Sequence, residues 1–502
     1  MGFRVDLGLP VLGMGMLWLG GCGVASETGP LFEKAQDVGA VSLEGRTSYD
    51  AQTETYVLTG SGANLWGSED AFHFAWTKRR GDLRLQAEVS FDPGGDEAHP
   101  HRKAGWMIRD SLDDAAVYAD VAVHGDGLVS LQFRRRPGGE TEEIQAATSS
   151  PRLVRLERTG DVVSLWVTGE DGHEESVGAI LLQLPEEPYV GLFVCSHQDD
   201  RLETARFSSV ALESRIPQEG EERIVESSLE VMELETGRRS VVYRAQEHFE
   251  APNWSRDGGY FLFNQSGRLY TLPVTGGTPT LLDTGFADRC NNDHGFSPDG
   301  EWLAVSHSPE DVSLIYVLPA TGGTPRQVTE KGPSYWHGWS PEGETLAYCA
   351  ERDGEFDIYT IPVSGGKERR ITQAVGLDDG PDYTPDGRYI YFNSVRTGLM
   401  KIWRTTPDGK IQQQVTFDTM WADWFPHPSP DGTQIIFLSY DRSVQGHPPN
   451  QEVVLRMMPL EGGEPRIVAR LFGGQGTINV PSWSPDSRRV AFVSYRLVLP
   501  RW

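Results

Sequence analysis

The stretch Trp483-Ser484-Pro485-Asp486 is the last of six related turns that divide the second half of the chain. The earlier copies are Trp254-Ser255-Arg256-Asp257-Gly258, Phe296-Ser297-Pro298-Asp299-Gly300, Trp339-Ser340-Pro341-Glu342-Gly343, Tyr383-Thr384-Pro385-Asp386-Gly387 and Pro428-Ser429-Pro430-Asp431-Gly432. The aligned Ser or Thr residues lie 42, 43, 44, 45 and 55 residues apart. A turn signature with such a period is typical of a solenoid or a propeller. Proline presets φ, aspartate bonds back to the backbone and glycine accepts a positive φ, so each copy predicts a tight turn.

A β-rich run follows every turn, and a second landmark that ends in glycine follows that run in five repeats. These landmarks are Leu269–Gly277, Ile315–Gly323, Ile358–Gly366, Ile402–Gly409 and Leu455–Gly463. Two hairpins per period, without helical periodicity, predict four strands per repeat. Four-stranded units arranged radially are propeller blades.

The repeats resemble the WD40-like repeats of TolB-type β-propellers over roughly residues 225–496. The hairpin at 229–244 reads as the second half of a blade, and Val480–Tyr495 reads as the first half. We therefore expect a six-bladed propeller that closes by pairing its N-terminal hairpin with C-terminal strands, which removes the exposed edges of an open array. The resemblance implies protein partners at the cell envelope.

Residues 30–212 lack the repeats but alternate strand signals with glycine-rich breaks, which favours an antiparallel β-sandwich. Lys103–Ser111, together with Gly62–Gly67, resembles a concanavalin-like jelly roll of extracellular carbohydrate-associated proteins. That resemblance implies a lectin-like domain for glycan or envelope ligands. One set of side chains in this segment consists of tryptophans, which either stack on sugar rings or fill the core. A second set lies in a loop and forms either a weak metal cluster or a solvated surface. These are Trp66, Trp76 and Trp106 in the first set, and Asp96, His99 and His101 in the second.

The N-terminus is apolar, and its Leu19-Gly20-Gly21-Cys22 resembles the cleavage box of a bacterial lipoprotein. We therefore expect an exported protein of the periplasm or cell surface, anchored to a membrane only by a lipid on Cys22. The predicted segments are a signal peptide at 1–21, a tether at 22–29, the sandwich at 30–212, a linker at 213–225 and the propeller at 226–502. The formal net charge of −27 argues against nucleic acid as a partner, because that would require a basic surface. Cys195 and Cys349 lie in strand patterns and are expected to be small core residues.

The segment before each turn enters the innermost strand of its blade, at the mouth of the central channel. Two copies carry His-Gly there, and the next two place Asp and His one residue later. Because equivalent points of adjacent blades surround one axis, we predict that His294, His337, Asp382 and His427 converge and bind a divalent cation. Three imidazoles and a carboxylate suit Zn, Mn or Fe better than Ca. The wider predicted binding set adds Asp379, Gln475 and Asn479; no catalytic residue is identified.

Two functions fit these features. The first is a cell-envelope binding protein that uses the propeller for partner proteins and the sandwich for glycans. The second is a metal-dependent enzyme on polysaccharide, a lyase or a glycoside hydrolase, because the repeats also resemble oligogalacturonate lyases that hold a metal among histidines at the channel mouth. The absence of a nucleophile elbow, a zinc helix motif and a phosphate loop from the sequence favours the binding protein.

Overall fold

A computed structural model describes residues 29–93 and 97–500. The predicted signal peptide, the lipid-bearing Cys22 and Asp96 lie outside these residues. Every strand pair in the described part is antiparallel, as expected for an all-β chain; the first pair, for example, joins Lys34 to Trp76. None of the helical segments within 29–93 and 97–500 has the length and hydropathy of a membrane span.

Sixteen strands form the first half of the structure. They are β1 (Lys34–Val38), β2 (Arg46–Asp50), β3 (Thr55–Gly62), β4 (Leu65–Trp66), β5 (Glu69–Asp70), β6 (Phe72–Lys78), β7 (Asp82–Phe91), β8 (Lys103–Arg109), β9 (Tyr118–His124), β10 (Val129–Arg134), β11 (Glu142–Gln145), β12 (Leu153–Thr159), β13 (Val162–Thr168), β14 (Glu174–Leu181), β15 (Tyr189–Cys195) and β16 (Gln198–Arg215). One sheet has the order β1-β6-β15-β8-β9-β10-β11, and the facing sheet begins β2-β3-β16-β7-β12-β13-β14.

The two sheets enclose a core of alternating apolar side chains, which is the pattern that a two-layer sandwich requires. Trp106 is fully buried there beside Leu85 and Leu131. Trp76 is 7% exposed on the other face of the same sheet, whereas Trp66 on the β4–β5 hairpin is 38% exposed. The core interpretation therefore holds for Trp106 and Trp76, and Trp66 remains open to a ligand.

The second half of the structure begins with a hairpin, β17 (Ile224–Glu233) and β18 (Arg239–Ala245), and continues as five four-stranded antiparallel sheets. The strands of these sheets, four in each, are β19 (Phe249–Trp254), β20 (Tyr260–Gln265), β21 (Arg268–Pro273), β22 (Thr280–Leu281); β23 (Cys290–Phe296), β24 (Trp302–His307), β25 (Leu314–Pro319), β26 (Arg326–Gln327); β27 (Ser334–Trp339), β28 (Thr345–Arg352), β29 (Glu355–Pro362), β30 (Arg369–Arg370); β31 (Asp378–Tyr383), β32 (Ile390–Ser394), β33 (Lys401–Thr405), β34 (Gln412–Gln414); and β35 (Trp421–Pro428), β36 (Gln434–Asp441), β37 (Gln451–Pro459), β38 (Arg466–Gly473). A 3₁₀ turn, Gln475–Thr477, precedes the last strand, β39 (Arg489–Val498). The predicted β-propeller is confirmed, with five complete blades in the described residues.

The N-terminal hairpin and the last strand close the ring, as predicted. β17 pairs with β39 in a continuous register from Ile224↔Val498 to Glu233↔Arg489. β17 also pairs with β18, and Trp483 forms a single bridge to Val490 in front of β39. Pairing strands from opposite ends of the repeats leaves no open edge at the seam.

The segment between the two halves is shorter than the predicted linker, and one sheet continues across it. β16 runs to Arg215 and β17 begins at Ile224, so eight residues, 216–223, separate the strands instead of 213–225. The pair Glu175↔Ser240 then joins β14 to β18, which makes one ten-stranded sheet of β2-β3-β16-β7-β12-β13-β14-β18-β17-β39. The sandwich and the closing unit of the propeller therefore share a sheet.

Candidate binding site in the propeller channel

The predicted turns fix where each inner strand ends. In five of the six copies the Ser or Thr hydroxyl donates to the Asp two residues later, for example Ser297 Oγ to Asp299 Oδ1 at 2.5 Å. The glycine that follows lies in the left-handed region, as Gly300 does at φ 75°. The inner strands β19, β23, β27, β31 and β35 therefore all enter their turns at equivalent points, and their side chains meet around one axis.

The residue directly before each aligned Ser or Thr lines a cavity of about 250 Å³ at this end of the channel. These six residues are Trp254, Phe296, Trp339, Tyr383, Pro428 and Trp483. We call this space, together with the other side chains that line it, the aromatic cavity. Five of the six positions are aromatic in the sequence, and this regularity was the signal that the sequence analysis did not use.

Polar groups of the tryptophans are mostly engaged, with one exception. Trp339 Nε1 donates to the Gly295 carbonyl at 3.0 Å, and Trp483 Nε1 donates to the His427 carbonyl at 2.9 Å. Trp336 also lines the cavity and is 1% exposed, yet its Nε1 has no partner among the described residues. A buried N–H without an acceptor is costly, so a ligand that presents an oxygen to it would gain a hydrogen bond.

Gly295 is required for the position of the Trp336 ring. A Cβ built at Gly295 would lie 2.2 Å from the ring atom Cη2 of Trp336 and 2.7 Å from Cζ3. No real pair of carbon atoms packs at such a distance, so any side chain at this position would displace the indole. In the His294-Gly295 pair of this blade, it is the glycine that contributes to the cavity, by leaving room for the Trp336 ring.

Two charged side chains also line the aromatic cavity. Arg256 occupies the position where the five other turns have proline, and its guanidinium donates to the carbonyls of Phe296 and Ser297, each at 3.1 Å. Burial lowers the pKa of Arg256, and the charge of Asp382 opposes that shift. The cavity therefore combines aromatic rings with one basic side chain, Arg256, and one acidic side chain, Asp382.

At the other end of the inner strands lies a group that we call the acidic cluster: Glu250, Asp293, His337, Asp379 and Asn479. His337 Nε2 lies 3.2 Å from Asp379 Oδ1 and 4.0 Å from Asp293 Oδ1. Asn479 Nδ2 donates to Asp293 Oδ1 at 3.1 Å. The three carboxylates and the imidazole are buried or nearly so.

The protonation of the acidic cluster follows from burial and mutual charge. Burial alone would lower the pKa of His337, but Asp293 and Asp379 raise it to about 9. Burial would raise the pKa of Asp379, but its pairing with His337 holds it at about 2. Burial raises the pKa of Asp293 to about 6 and that of Glu250 to about 7, where the Asp293 charge adds to the effect. Near neutral pH the cluster holds an imidazolium between carboxylates.

The four residues predicted as metal ligands are not brought together. The described residues contain one group of three or more His, Cys, Asp or Glu side chains with ligand atoms within 4.8 Å of one another, and it lies in the sandwich. In the channel, His427 pairs with Asp382 through Nδ1 and Oδ2 at 3.1 Å, and its Nε2 bonds the Ile478 carbonyl at 2.8 Å. Neither ring nitrogen of His427 is available to a cation.

The register of the inner strands explains the separation. Each of these strands has an irregularity just before the turn, after which Gly295, Gly338, Asp382 and His427 occupy equivalent pairing positions. His294 and His337 precede those glycines by one residue, and neighbouring strand residues face opposite sides. His294 is fully buried, neither of its ring nitrogens has a hydrogen bond of good geometry among the described residues, and burial lowers its pKa to about 3.

Of the wider predicted set, the structure joins Asp379 to His337 and places Asn479 beside Asp293. Gln475 is half-buried at the start of the 3₁₀ turn. Sequence reasoning missed Glu250 and Asp293, because both lie further from the aligned Ser or Thr than the two positions of each repeat at which the metal ligands were predicted. Asp293 directly precedes His294, and the polar run Asn291-Asn292-Asp293 was the signal for it.

Comparison with known proteins identifies the repeats. Residues 331–448 match the TolB beta propeller domain family, PD40. The chain is 51% identical over 271 residues to an uncharacterized protein of Agrobacterium fabrum, and the match covers 54% of this chain and 92% of that protein.

Solved structures give the same picture. A putative TolB from Agrobacterium tumefaciens is 51% identical, with a TM-score of 0.53 over 55% of this chain and 99% of the other. TolB from Acinetobacter baumannii is 17% identical, with a TM-score of 0.39 over 62% of this chain and 80% of the other, which is too distant to carry an argument.

Proposed function

The chain belongs to the family of TolB-like β-propeller proteins, and from this premise we propose that it is a binding protein whose propeller channel receives a segment of a partner protein. The observation that carries the proposal is the aromatic cavity, with its ring of equivalent aromatic side chains and the orphan Nε1 of Trp336. Buried aromatic residues with few polar groups are typical of the parts of a protein interface that contribute most to affinity.

The chemistry of the aromatic cavity defines the segment that it would accept. An apolar or aromatic side chain fills the space between the tryptophans, and a backbone carbonyl satisfies Trp336 Nε1. Arg256 and Asp382 also line the cavity, so a polar group next to the anchoring side chain would find a partner. A peptide offers all three features at the spacing of neighbouring residues.

Site-specific photo-crosslinking tests this proposal in the native host. Tyr383 lines the aromatic cavity, and replacing it with benzoylphenylalanine keeps an aromatic ring at that position. Tyr389 of the same blade lies outside the cavity beside Arg404 and is the matched control. We expect a discrete protein adduct from position 383 and none from position 389. Identical adduct patterns from both positions would contradict the proposal.

A second variant separates binding from folding. Trp336→Phe keeps an aromatic ring but removes the orphan N–H, so we expect it to weaken the adduct at position 383 while the circular-dichroism spectrum is unchanged. A neutral hydrogen bond such as one from Trp336 Nε1 to a backbone carbonyl contributes about 0.5–1.5 kcal/mol. Full retention of the adduct in this variant would remove Trp336 from the site.

We also propose a second binding function for the sandwich, as a lectin-like jelly roll for glycans. The supporting observation is Trp66, which is 38% exposed on the β4–β5 hairpin with Lys103 Nζ 5.4 Å from the centroid of its ring. Exposed tryptophan is an apolar platform of the kind on which sugar rings stack. A glycan array probed with the full chain and with Trp66→Ala tests it; binding that is equal in both would count against a sugar site at Trp66.

For the propeller we propose a sixth blade, built from β39, β17 and β18 with Trp483 as its inner element.

For the location of the protein we propose export and a lipid on Cys22, because Leu19-Gly20-Gly21-Cys22 resembles a lipoprotein cleavage box. Cys22→Ala is expected to move the protein from the membrane fraction to the soluble fraction. The alternative of a polysaccharide lyase or hydrolase gains nothing from the arrangement of His294, His337, Asp382 and His427, and it is not carried into the proposal.

A further inference from the structure

A group of histidines lies at one end of the sandwich, far in sequence from the propeller channel. His99 and His101 come from the loop before β8, His124 ends β9, and His197 follows β15. The ring centroids of His99 and His197 are 4.1 Å apart, those of His101 and His124 are 5.7 Å apart, and those of His101 and His197 are 5.9 Å apart. Three separate segments of chain thus deliver imidazoles to one place.

Three side chains of this region meet at the spacing of metal ligands. His101, His124 and Asp126 each offer one ligand atom, and these atoms lie within 4.8 Å of one another. His101 Nδ1 is 3.8 Å from Asp126 Oδ2, which is longer than a direct hydrogen bond. The side chains of His101 and Asp126 are 50% and 38% exposed, so a cation and solvent can reach them.

His124 supplies independent evidence for a ligand. Its side chain is 5% exposed, and its Nδ1 is buried without a hydrogen-bond partner among the described residues. Its Nε2 lies 3.4 Å from Gln132 Nε2. A cation would give this buried ring nitrogen, Nδ1, the partner that it lacks within the described part of the chain.

The neighbouring imidazoles have fixed roles. His197 Nδ1 lies 3.1 Å from Asn64 Oδ1, which can only accept a hydrogen bond, so Nδ1 carries the proton. The backbone N–H of His101 donates to His99 Nδ1 at 3.0 Å, which fixes the loop that presents the His101 ring. Hydrogen bonds of this type orient the residues around a metal site.

The charge of Lys103 opposes a cation in this region. Its Nζ donates to Asn64 Oδ1 at 3.0 Å and to the Leu65 carbonyl at 2.8 Å, so the ammonium is held on the side of His197, which contacts the same Asn64 oxygen, and not between His101 and Asp126. The carboxylate of Asp126 offsets its charge at the solvent side.

We propose that His101, His124 and Asp126 bind one divalent transition-metal ion of the zinc type, with solvent completing the coordination. Two imidazoles and one carboxylate suit Zn, Ni, Co or Cu, whereas Ca and Mg require mainly oxygen ligands. Three protein ligands leave a position open to water or to a further ligand, as in zinc sites that are not purely structural. The site lies in the sandwich, so it is separate from the cation site that the sequence predicted in the channel.

Isothermal titration calorimetry of the full chain, freed of metal by a chelator, tests the proposal with zinc chloride as the probe. His101→Ala/Asp126→Ala removes two exposed side chains, so the fold is expected to persist, as judged by circular dichroism. His248→Ala, an exposed histidine of the propeller, is the matched control. We expect the double variant to bind one equivalent of zinc fewer than the wild type and His248→Ala to bind the same amount as the wild type.

Calcium chloride is the selectivity control, and it is expected to produce no binding heat at this site. The proposal is overturned if the wild-type protein binds no zinc, or if the double variant binds as many equivalents with the same affinity. A crystal soaked in zinc and measured at the zinc absorption edge adds a direct readout: the anomalous peak belongs between His101, His124 and Asp126, and a peak only elsewhere contradicts the assignment.

Discussion

At the residue scale, the turn glycines hold a conformation that other residues resist. Gly387 has φ 69°, and the nearest atom to a built Cβ is Pro341 Cγ at 3.6 Å, an ordinary contact. Its replacement by alanine is therefore a test of backbone conformation alone. We expect Gly387→Ala to lower the free energy of unfolding by about 1–2 kcal/mol, measured by urea denaturation.

Gly259 is the matched control for this prediction, because its φ is not in the left-handed region and its built Cβ meets only the flexible carboxylate of Asp257 at 3.3 Å. Gly259→Ala is expected to change stability by no more than about 0.5 kcal/mol. Equal losses in both variants would show that the cost comes from something other than φ. The sixth turn has Ser487 at φ 60° in the glycine position, and its Oγ accepts from the Asp431 N–H at 3.0 Å, which offsets part of the conformational cost.

His337 makes the stability of the propeller depend on pH. Its pKa of about 9 lies above the ordinary value of 6.5, so the stabilisation is fully present below pH 6.5 and is lost as pH rises through 9. The pKa of Asp293 is raised from 3.8 to about 6, so its ionisation costs stability as pH rises through that window, and this cost is constant above it. The pKa of Asp379 is lowered from 3.8 to about 2, so the stability that it contributes is fully present above pH 3.8 and is lost as pH falls through 2.

We therefore expect the difference in unfolding free energy between the wild type and His337→Gln to be on the order of 2–3 kcal/mol near pH 6 and to shrink toward pH 9.5. Urea denaturation of both proteins across this range measures it. His248→Gln, in an exposed part of the propeller, controls for histidine titration elsewhere. A difference that is constant with pH would mean that His337 is neutral in the folded protein.

At the element scale, the period of the turns was enough to predict the blades, the direction of the inner strands and the seam between β17 and β39. It was not enough to predict the site. The irregularities between Asp379 and Asp382 and between Trp424 and His427 change which side chains face the channel, and no sequence pattern marks them. The polar residues before the turns therefore form two separate pairs, His337 with Asp379 and His427 with Asp382, while His294 joins neither of them. The aromatic residues next to them in the repeats line the cavity.

The seam between β17 and β39 predicts the effect of a truncation. Deleting 489–502 removes the partner of β17 along its whole length, exposes that strand edge and uncovers apolar side chains such as Leu229 and Val231. We expect a lower melting temperature and association that increases with concentration, measured by calorimetry and light scattering. Deleting only 500–502 leaves β39 intact and is expected to change neither. An intact melting temperature in the longer deletion would contradict closure through this strand.

At the scale of the whole molecule, the sandwich and the propeller are joined by ion pairs between residues that are distant in sequence. Glu157 of β12 is 4% exposed and pairs with Arg496 of β39, 339 residues away, as well as with Arg155. Arg135 of the sandwich pairs with Glu452 of the propeller at 2.7 Å, and Arg223, in the segment between the two halves, pairs with the buried Asp82 at 2.6 Å. The sequence could not predict these contacts, because a charged residue on a strand gives no sign of which distant strand will supply its partner.

These contacts determine how the isolated sandwich should behave. The segment 30–215 retains its own core, so it is expected to fold as an all-β domain. It loses Arg223 as the charged partner of Asp82, which keeps the Gly160 N–H, it loses one of the partners of Glu157, and it exposes the edge of β14 that pairs with β18. A buried carboxylate that loses its partner is costly, so we expect the segment to melt roughly 5–10 °C below the full chain.

In the full chain, Arg496→Met tests the same contact without truncation. It leaves Glu157 with Arg84 and Arg155, so the expected loss is about 2 kcal/mol rather than the full cost of an unpaired buried charge. Arg388→Met removes an exposed ion pair within one turn and is expected to leave the melting temperature unchanged. Differential scanning calorimetry distinguishes the outcomes: if Arg496 couples the two halves, its loss separates a single unfolding transition into two, with the sandwich melting first. A single transition at the wild-type temperature in this variant would show that the shared sheet at Glu175↔Ser240 is sufficient without the ion pairs.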